Sequence, residues 1–122
     1  MELQVDLAVD GDMLLAVVKG VATFEESWQV LKQICDMALE KHLNRILIDG
    51  NAVHATPTSF ERYDIGVKLV DYCGEHKLWP KLAFVGHPPT LDGFGGVVAR
   101  NRGVHAQIFP NRQEAVEWLQ AA

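Results

Sequence analysis

The run Arg45-Ile46-Leu47-Ile48-Asp49 places the strongest constraint on the fold. Its apolar residues do not alternate with polar ones, so a strand made from them must be shielded from water on both faces. A short unbroken apolar run between a helical pattern and a Gly/Asn turn marks a buried parallel strand. Parallel neighbours cannot be joined by a tight turn. Each needs a crossover of about a dozen residues or more, usually a helix. The flanking sequence supplies such helices. Before the run, Phe24, Trp28, Leu31, Cys35, Ala38 and Leu39 recur at helical spacing, with Glu25, Lys32, Asp36 and Glu40 elsewhere. Thr23 and Glu26 match a capping box, in which hydroxyl and carboxylate each satisfy a free backbone N–H. After the run, a helix is predicted from Pro57 to about Lys77, with Phe60, Tyr63, Val67 and Val70 on one face and Gly74 near its end.

The remaining elements follow from the same periodicities. Leu3, Val5 and Leu7 alternate with Glu2, Gln4 and Asp6, the pattern of a strand with one wet face. Asp10-Gly11-Asp12 suits a tight hairpin into an apolar second strand, Met13 to Val18. Lys81 to Val85 and Val104 to Phe109 read as the fourth and fifth strands. Between them lie a Gly/Pro-rich loop and a short helical stretch ending in Asn101-Arg102-Gly103, where Gly103 suits a left-handed cap. Asn111 can cap a last helix carrying Glu114, Ala115, Val116 and Leu119. The order β-β-α-β-α-β-α-β-α predicts a single α/β domain over residues 1–122, without repeat, linker or tail. It comprises a mixed sheet of about five strands, opened by an antiparallel hairpin, and about four helices.

At 122 residues the chain buries roughly two-thirds of its unfolded surface, enough core to need neither disulfides nor a structural metal. Eleven Lys and Arg against 16 Asp and Glu give a net charge of −5 with no basic cluster, which argues against nucleic acid as a partner. Cys35 and Cys73 have no CxxC or Cys/His spacing, as expected in a reducing compartment. No apolar run approaches the ~20 residues of a membrane span, and the start lacks a basic n-region followed by an apolar h-region. A cytoplasmic location without stable membrane insertion is expected.

The stretch from Asp49 through Gly50, Asn51 and His54 to Thr56, Thr58 and Ser59 joins the central strand to a helix, where ligands of such sheets are met. A phosphate on Thr58 or Ser59 would sit in the first helical turn, where free N–H groups favour negative charge. The alternative use of these hydroxyls is helix capping, with Asp49 capping a turn. Asp49, His54 and Ser59 are also the raw material of a nucleophilic triad, but no G-x-S-x-G elbow or oxyanion loop accompanies them, so no catalytic residue is assigned. Gly93-Phe94-Gly95-Gly96 fits neither the dinucleotide fingerprint nor a P-loop. Arg100 and Arg102 are candidate contacts for an anion or an acidic partner. His42, His54, His76, His87 and His105 never approach metal-ligand spacing, so neither metal nor cofactor is expected.

Five segments taken together resemble a known family: Arg45-Ile-Leu-Ile-Asp-Gly, Thr56-Pro-Thr-Ser-Phe-Glu-Arg-Tyr, Val98-Ala-Arg-Asn-Arg-Gly-Val, Ile108-Phe and Glu114-Ala-Val-Glu-Trp-Leu. In order and spacing they are similar to the bacterial SpoIIAA-like branch of the STAS superfamily (sulfate transporter and anti-sigma-factor antagonist). The resemblance implies a non-enzymatic regulatory or protein-interaction domain like the anti-sigma-factor antagonists. Its partner surface would cover residues 50–59 and the following helix, and would meet a regulatory kinase or an anti-sigma-like factor; a homodimer is left open. Regulatory members carry an Asp-Leu-Ser start and an Asp-Ser-Ser/Ala-Gly end in this segment, with the serine after the second aspartate phosphorylated. Laid on this chain without gaps, Asp49 matches the first aspartate and Asn51 replaces the first serine. Pro57 replaces the second aspartate and Thr58 the phosphoserine. The fold is also similar to the lipid-binding SEC14 (CRAL-TRIO) domains. That alternative implies a hydrophobic small molecule held near Phe24, Trp28, Phe60 and Phe94, residues that can equally fill a dense core.

Overall fold

Asp10 and Met13 face each other across a two-residue turn in which Gly11 takes φ 62°, a conformation that costs a residue with a β-carbon and costs glycine little. The turn folds β1 (Gln4–Asp10) antiparallel onto β2 (Met13–Val21). Then come α1 (Phe24–Lys41), β3 (Arg45–His54), α2 (Ser59–His76), β4 (Lys81–Val85), β5 (His105–Phe109) and α3 (Arg112–Gln120). The computed structural model describes residues 3–54, 59–86 and 105–121, without the side chains of residues 59, 60, 62 and 63. The five strands form one sheet in the order β1-β2-β3-β4-β5, with every pairing after the hairpin parallel. The described residues thus contain three helices; the expected short helix before Gly103 lies outside them.

Strand β3 is buried on both faces, as its unbroken apolar run requires. Ile46 and Ile48 pack with Leu14, Ala16, Val18 and Leu82 against Leu31, Ile34, Cys35 and Ala38 of α1 and Leu69 and Cys73 of α2. Leu47 points the other way, packing with Met13, Ala83, Val85 and Phe109 beneath Ala115 and Leu119 of α3. Each such buried aliphatic side chain contributes roughly 1.5–3 kcal/mol relative to exposure. β1 is an edge strand whose apolar face (Val5 and Leu7), with Leu3 just before it, packs onto the α1 and α2 side.

The caps are mostly those the sequence predicts. The Thr23 hydroxyl accepts the Glu26 N–H at 3.2 Å, and Asn111 Oδ1 accepts the Glu114 N–H at 2.9 Å. The Glu26 carboxylate differs from the expected box. It accepts the Thr23 hydroxyl at 3.3 Å and the Leu3 N–H at 3.4 Å, joining the start of α1 to the start of β1. At their far ends α1 and α2 close on His42 (φ 56°) and Lys77 (φ 55°), not on glycine. The next residues, Leu43 and Leu78, donate at 2.9 Å to Ala38 and Cys73. Leu78 is buried and Leu43 packs on the core, so apolar anchoring offsets the left-handed residue before it.

Candidate functional site

Where the sequence suggests a loop from Gly50 onward, β3 continues to His54. The cause is an extra residue in β3. Val17 pairs with Asp49 but Lys19 pairs with Ala52, so β3 carries one residue more than β2 between these pairs. The bulge shifts the inside/outside alternation: Leu47 and Asp49 face α3, whereas Val53 packs on the α1 and α2 side. Ala22 N–H donates to the His54 carbonyl at 3.0 Å, carrying the pairing past the end of β2.

Asp49 is the pivot of this bulge. Its Oδ1 accepts the Asn51 N–H at 3.0 Å, the local closure that aspartate makes two residues ahead of itself. Its Oδ2 accepts Arg112 Nε–H at 2.7 Å. The Asp49 side chain is 12% exposed and that of Arg112 48%, so a nearly buried carboxylate is held by a half-exposed guanidinium. Arg112 opens α3, the end of a helix where the dipole disfavours a cation, and the contact to Asp49 offsets that cost. The pair ties α3 to the central strand across 63 residues of sequence.

The sequence-predicted site residues therefore separate. Asp49 is buried in β3 and serves the fold, closing a bulge within the strand where the sequence suggests a turn cap. Asn51 and His54 project from the same strand as exposed residues, with the Asn51 backbone N–H engaged by Asp49. Both Asp49 carboxylate oxygens have partners other than His54. Ser59 is the first residue of α2. Thr58, Arg100, Arg102, Gly103 and Gly93-Phe94-Gly95-Gly96 lie outside the described residues. Arg112 was not singled out in the sequence, where one arginine after a capping asparagine carries no sign of a partner 63 residues away.

The opposite end of the sheet, where the parallel strands begin, carries an open groove of about 450 Å³ lined by Asp12, His42, Arg45, Trp79, Lys81 and His105 among others. Its cations are largely engaged. Arg45 pairs with Asp12. Lys81 Nζ donates to the Trp118 carbonyl, and at 3.2 Å to that of Ala121, and lies 4.5 Å from the Trp118 ring. It thereby binds carbonyls at the end of α3, that of Trp118 also accepting the Ala121 N–H at 3.3 Å. Across the outer side of α1 and α2, Tyr72 donates its hydroxyl to Asp36 and meets Trp28 edge-on at 6.0 Å. The hydrogen bond to Asp36, followed by burial, pushes the Tyr72 phenol up to about 12. Among the described residues no three His, Cys, Asp or Glu side chains gather in a metal-binding arrangement, and no helix is long and apolar enough to cross a membrane.

The sequence matches no protein-family model, and no curated protein matches it. Solved structures do match. The crystal structure of an anti-sigma factor antagonist from Mycobacterium paratuberculosis superposes with a TM-score of 0.66 at 14% identity, covering 98% of this chain and 96% of that one. An uncharacterized protein of the DUF3478 family with a SpoIIAA-like fold, from Shewanella loihica PV-4, gives 0.56 at 16% identity over 97% and 93% of the two chains. At such identities the likeness establishes the fold: this chain has the SpoIIAA-like fold that the sequence resemblance implies.

Proposed function

We propose that the chain is a non-enzymatic regulatory domain that docks a protein partner through the exposed end of β3 and the first turn of α2, as an anti-sigma-factor antagonist would. The observation carrying this reading is the likeness of fold, nearly end to end in both chains, to an anti-sigma factor antagonist. Electrostatics support it. Helices α1, α2 and α3 each follow a strand, so their N-termini lie toward the carboxyl edge of the sheet, where helix dipoles favour negative charge. A phosphate on Thr58 or Ser59 would bring roughly −1.5 to −2 charges to the start of α2. Arg100 and Arg102 are the proposed contacts for such a group or for an acidic partner. Asn51 and His54 supply exposed polar chemistry beside it. The partner class is a regulatory kinase or an anti-sigma-like factor, and the compartment the cytoplasm. Side chains of α1 and α2 fill the interval against β2, β3 and β4, which favours this reading over a SEC14-type carrier.

Affinity capture from native lysate with wild type and Thr58→Asp tests the proposal. The expected outcome is a protein retained by one form and lost by the other. Identical empty captures from both would overturn it.

A further inference from the structure

Two thiols outside the proposed partner surface meet in the core. Cys35 of α1 and Cys73 of α2 are 1% and 0% exposed and belong to the same apolar cluster. Both are free. Their sequence neighbours fix the crossing of the helices: Asp36 accepts the Tyr72 hydroxyl, and Trp28, two turns before Cys35, abuts the Tyr72 ring. The residues beside that contact are the two cysteines, which lie in the same buried cluster and interact with each other. A buried cysteine alone is a small hydrophobe. Two in mutual contact on separate helices, 38 residues apart, have a further chemistry.

We infer that Cys35 and Cys73 form a redox-modification site, a dithiol that a small hydroperoxide converts to a disulfide locking α1 to α2. The roles are asymmetric. The hydrogen bond to Cys73, followed by burial, holds the Cys35 thiol protonated. The same bond favours the thiolate at Cys73, against the opposing effect of burial there. Cys73 is therefore the attacking sulfur. Its thiolate takes one oxygen of the peroxide, the O–O bond breaks, and the departing hydroxide (alkoxide for an alkyl hydroperoxide) is protonated to water or alcohol, leaving Cys73 as the sulfenic acid. The Cys35 sulfur then attacks the Cys73 sulfur. The S–O bond breaks, the hydroxide leaves with the Cys35 proton as a second water, and the S–S bond forms. Two thiols are oxidised by two electrons, and the peroxide is reduced by two. Disulfide formation brings the two sulfurs to a bond of roughly 2.05 Å. Burial keeps out bulky disulfides such as oxidised glutathione, so the oxidant is a small hydroperoxide.

The test is hydrogen peroxide added to the folded full-length chain, followed by non-reducing peptide mass spectrometry and thiol counting. The expected product is an intramolecular Cys35–Cys73 peptide pair, both thiols disappearing together, in protein that remains monomeric and melts at a higher temperature. Cys35→Ser, which keeps a hydrogen-bond donor, should stop at a Cys73 sulfenic acid trapped by dimedone, whereas Cys73→Ala should leave Cys35 as the thiol. Two thiols that persist in the folded wild type and react only in urea would overturn the inference. So would oxidation that ends in sulfinic acid or in a disulfide between chains. The wild-type measurement decides the matter even where an alanine variant fails to fold, and it does not depend on the proposed partner surface.

Discussion

Replacing Arg112 by alanine removes the guanidinium and leaves Asp49, among the described residues, with the Asn51 N–H. A hydrogen bond to a charged group contributes about 1.5–3 kcal/mol where both partners are well buried. Here the carboxylate is 12% exposed but the arginine side chain 48%, so solvent screening reduces the loss. The expected cost is about 1–2 kcal/mol, above the median of a surface pair. With an unfolding entropy of roughly 2.1 cal/mol/K per residue, that corresponds to a fall in Tm of about 4–8 °C. Urea and thermal unfolding of wild type, Arg112→Ala, Asp49→Asn and the double variant supply the assay. The two single losses should fall short of additivity when combined, because each removes the same contact. A loss below about 0.5 kcal/mol for Arg112→Ala, with additive singles, would refute the tether and return Asp49 to the set of residues free to meet a partner.

Other expectations follow from the same contacts. Thr23→Ala removes the acceptor for the Glu26 N–H and should cost about 1 kcal/mol in urea unfolding. Leu47→Ala opens space beneath α3 in a fully buried position and should cost about 2–5 kcal/mol. Tyr72 should ionise near pH 12, followed by tyrosinate absorbance with Tyr72→Phe as the blank, and Asp36→Asn should bring it back toward 10. The folded phenol is raised above its unfolded value, so its contribution to stability is complete below about pH 10 and is lost as pH rises through about 12.

The residues that announced the fold are those whose chemistry is local. Ile46-Leu47-Ile48 required cover on both faces and has it; Thr23 and Asn111 cap the helices that begin beside them; Gly11 turns the hairpin. What the sequence hid depends on partners distant along the chain. The bulge at Asp49 follows from pairing with β2 and turns a stretch that looks like a loop into strand. Arg112 and Lys81 are unremarkable charges until the sheet brings them to Asp49 and to the end of α3. Helix α2 ends where the sequence predicts, but on Lys77 in the left-handed conformation and not on a glycine, because the buried Leu78 anchors the turn. Of the candidate site, the edge of the sheet was legible from the order of strands and helices. The division between a buried, tethered Asp49 and the exposed Asn51 and His54 was not.

The most direct measurement is site-specific photocrosslinking in living cells, with the reactive residue placed at Asn51, at His54 and, as a control on the far end of α2, at Glu75. Covalent adducts to the same protein from positions 51 and 54, and none from 75, are the predicted result. No adduct from either β3 position, or equal capture from Glu75, would contradict a partner surface at the carboxyl end of β3.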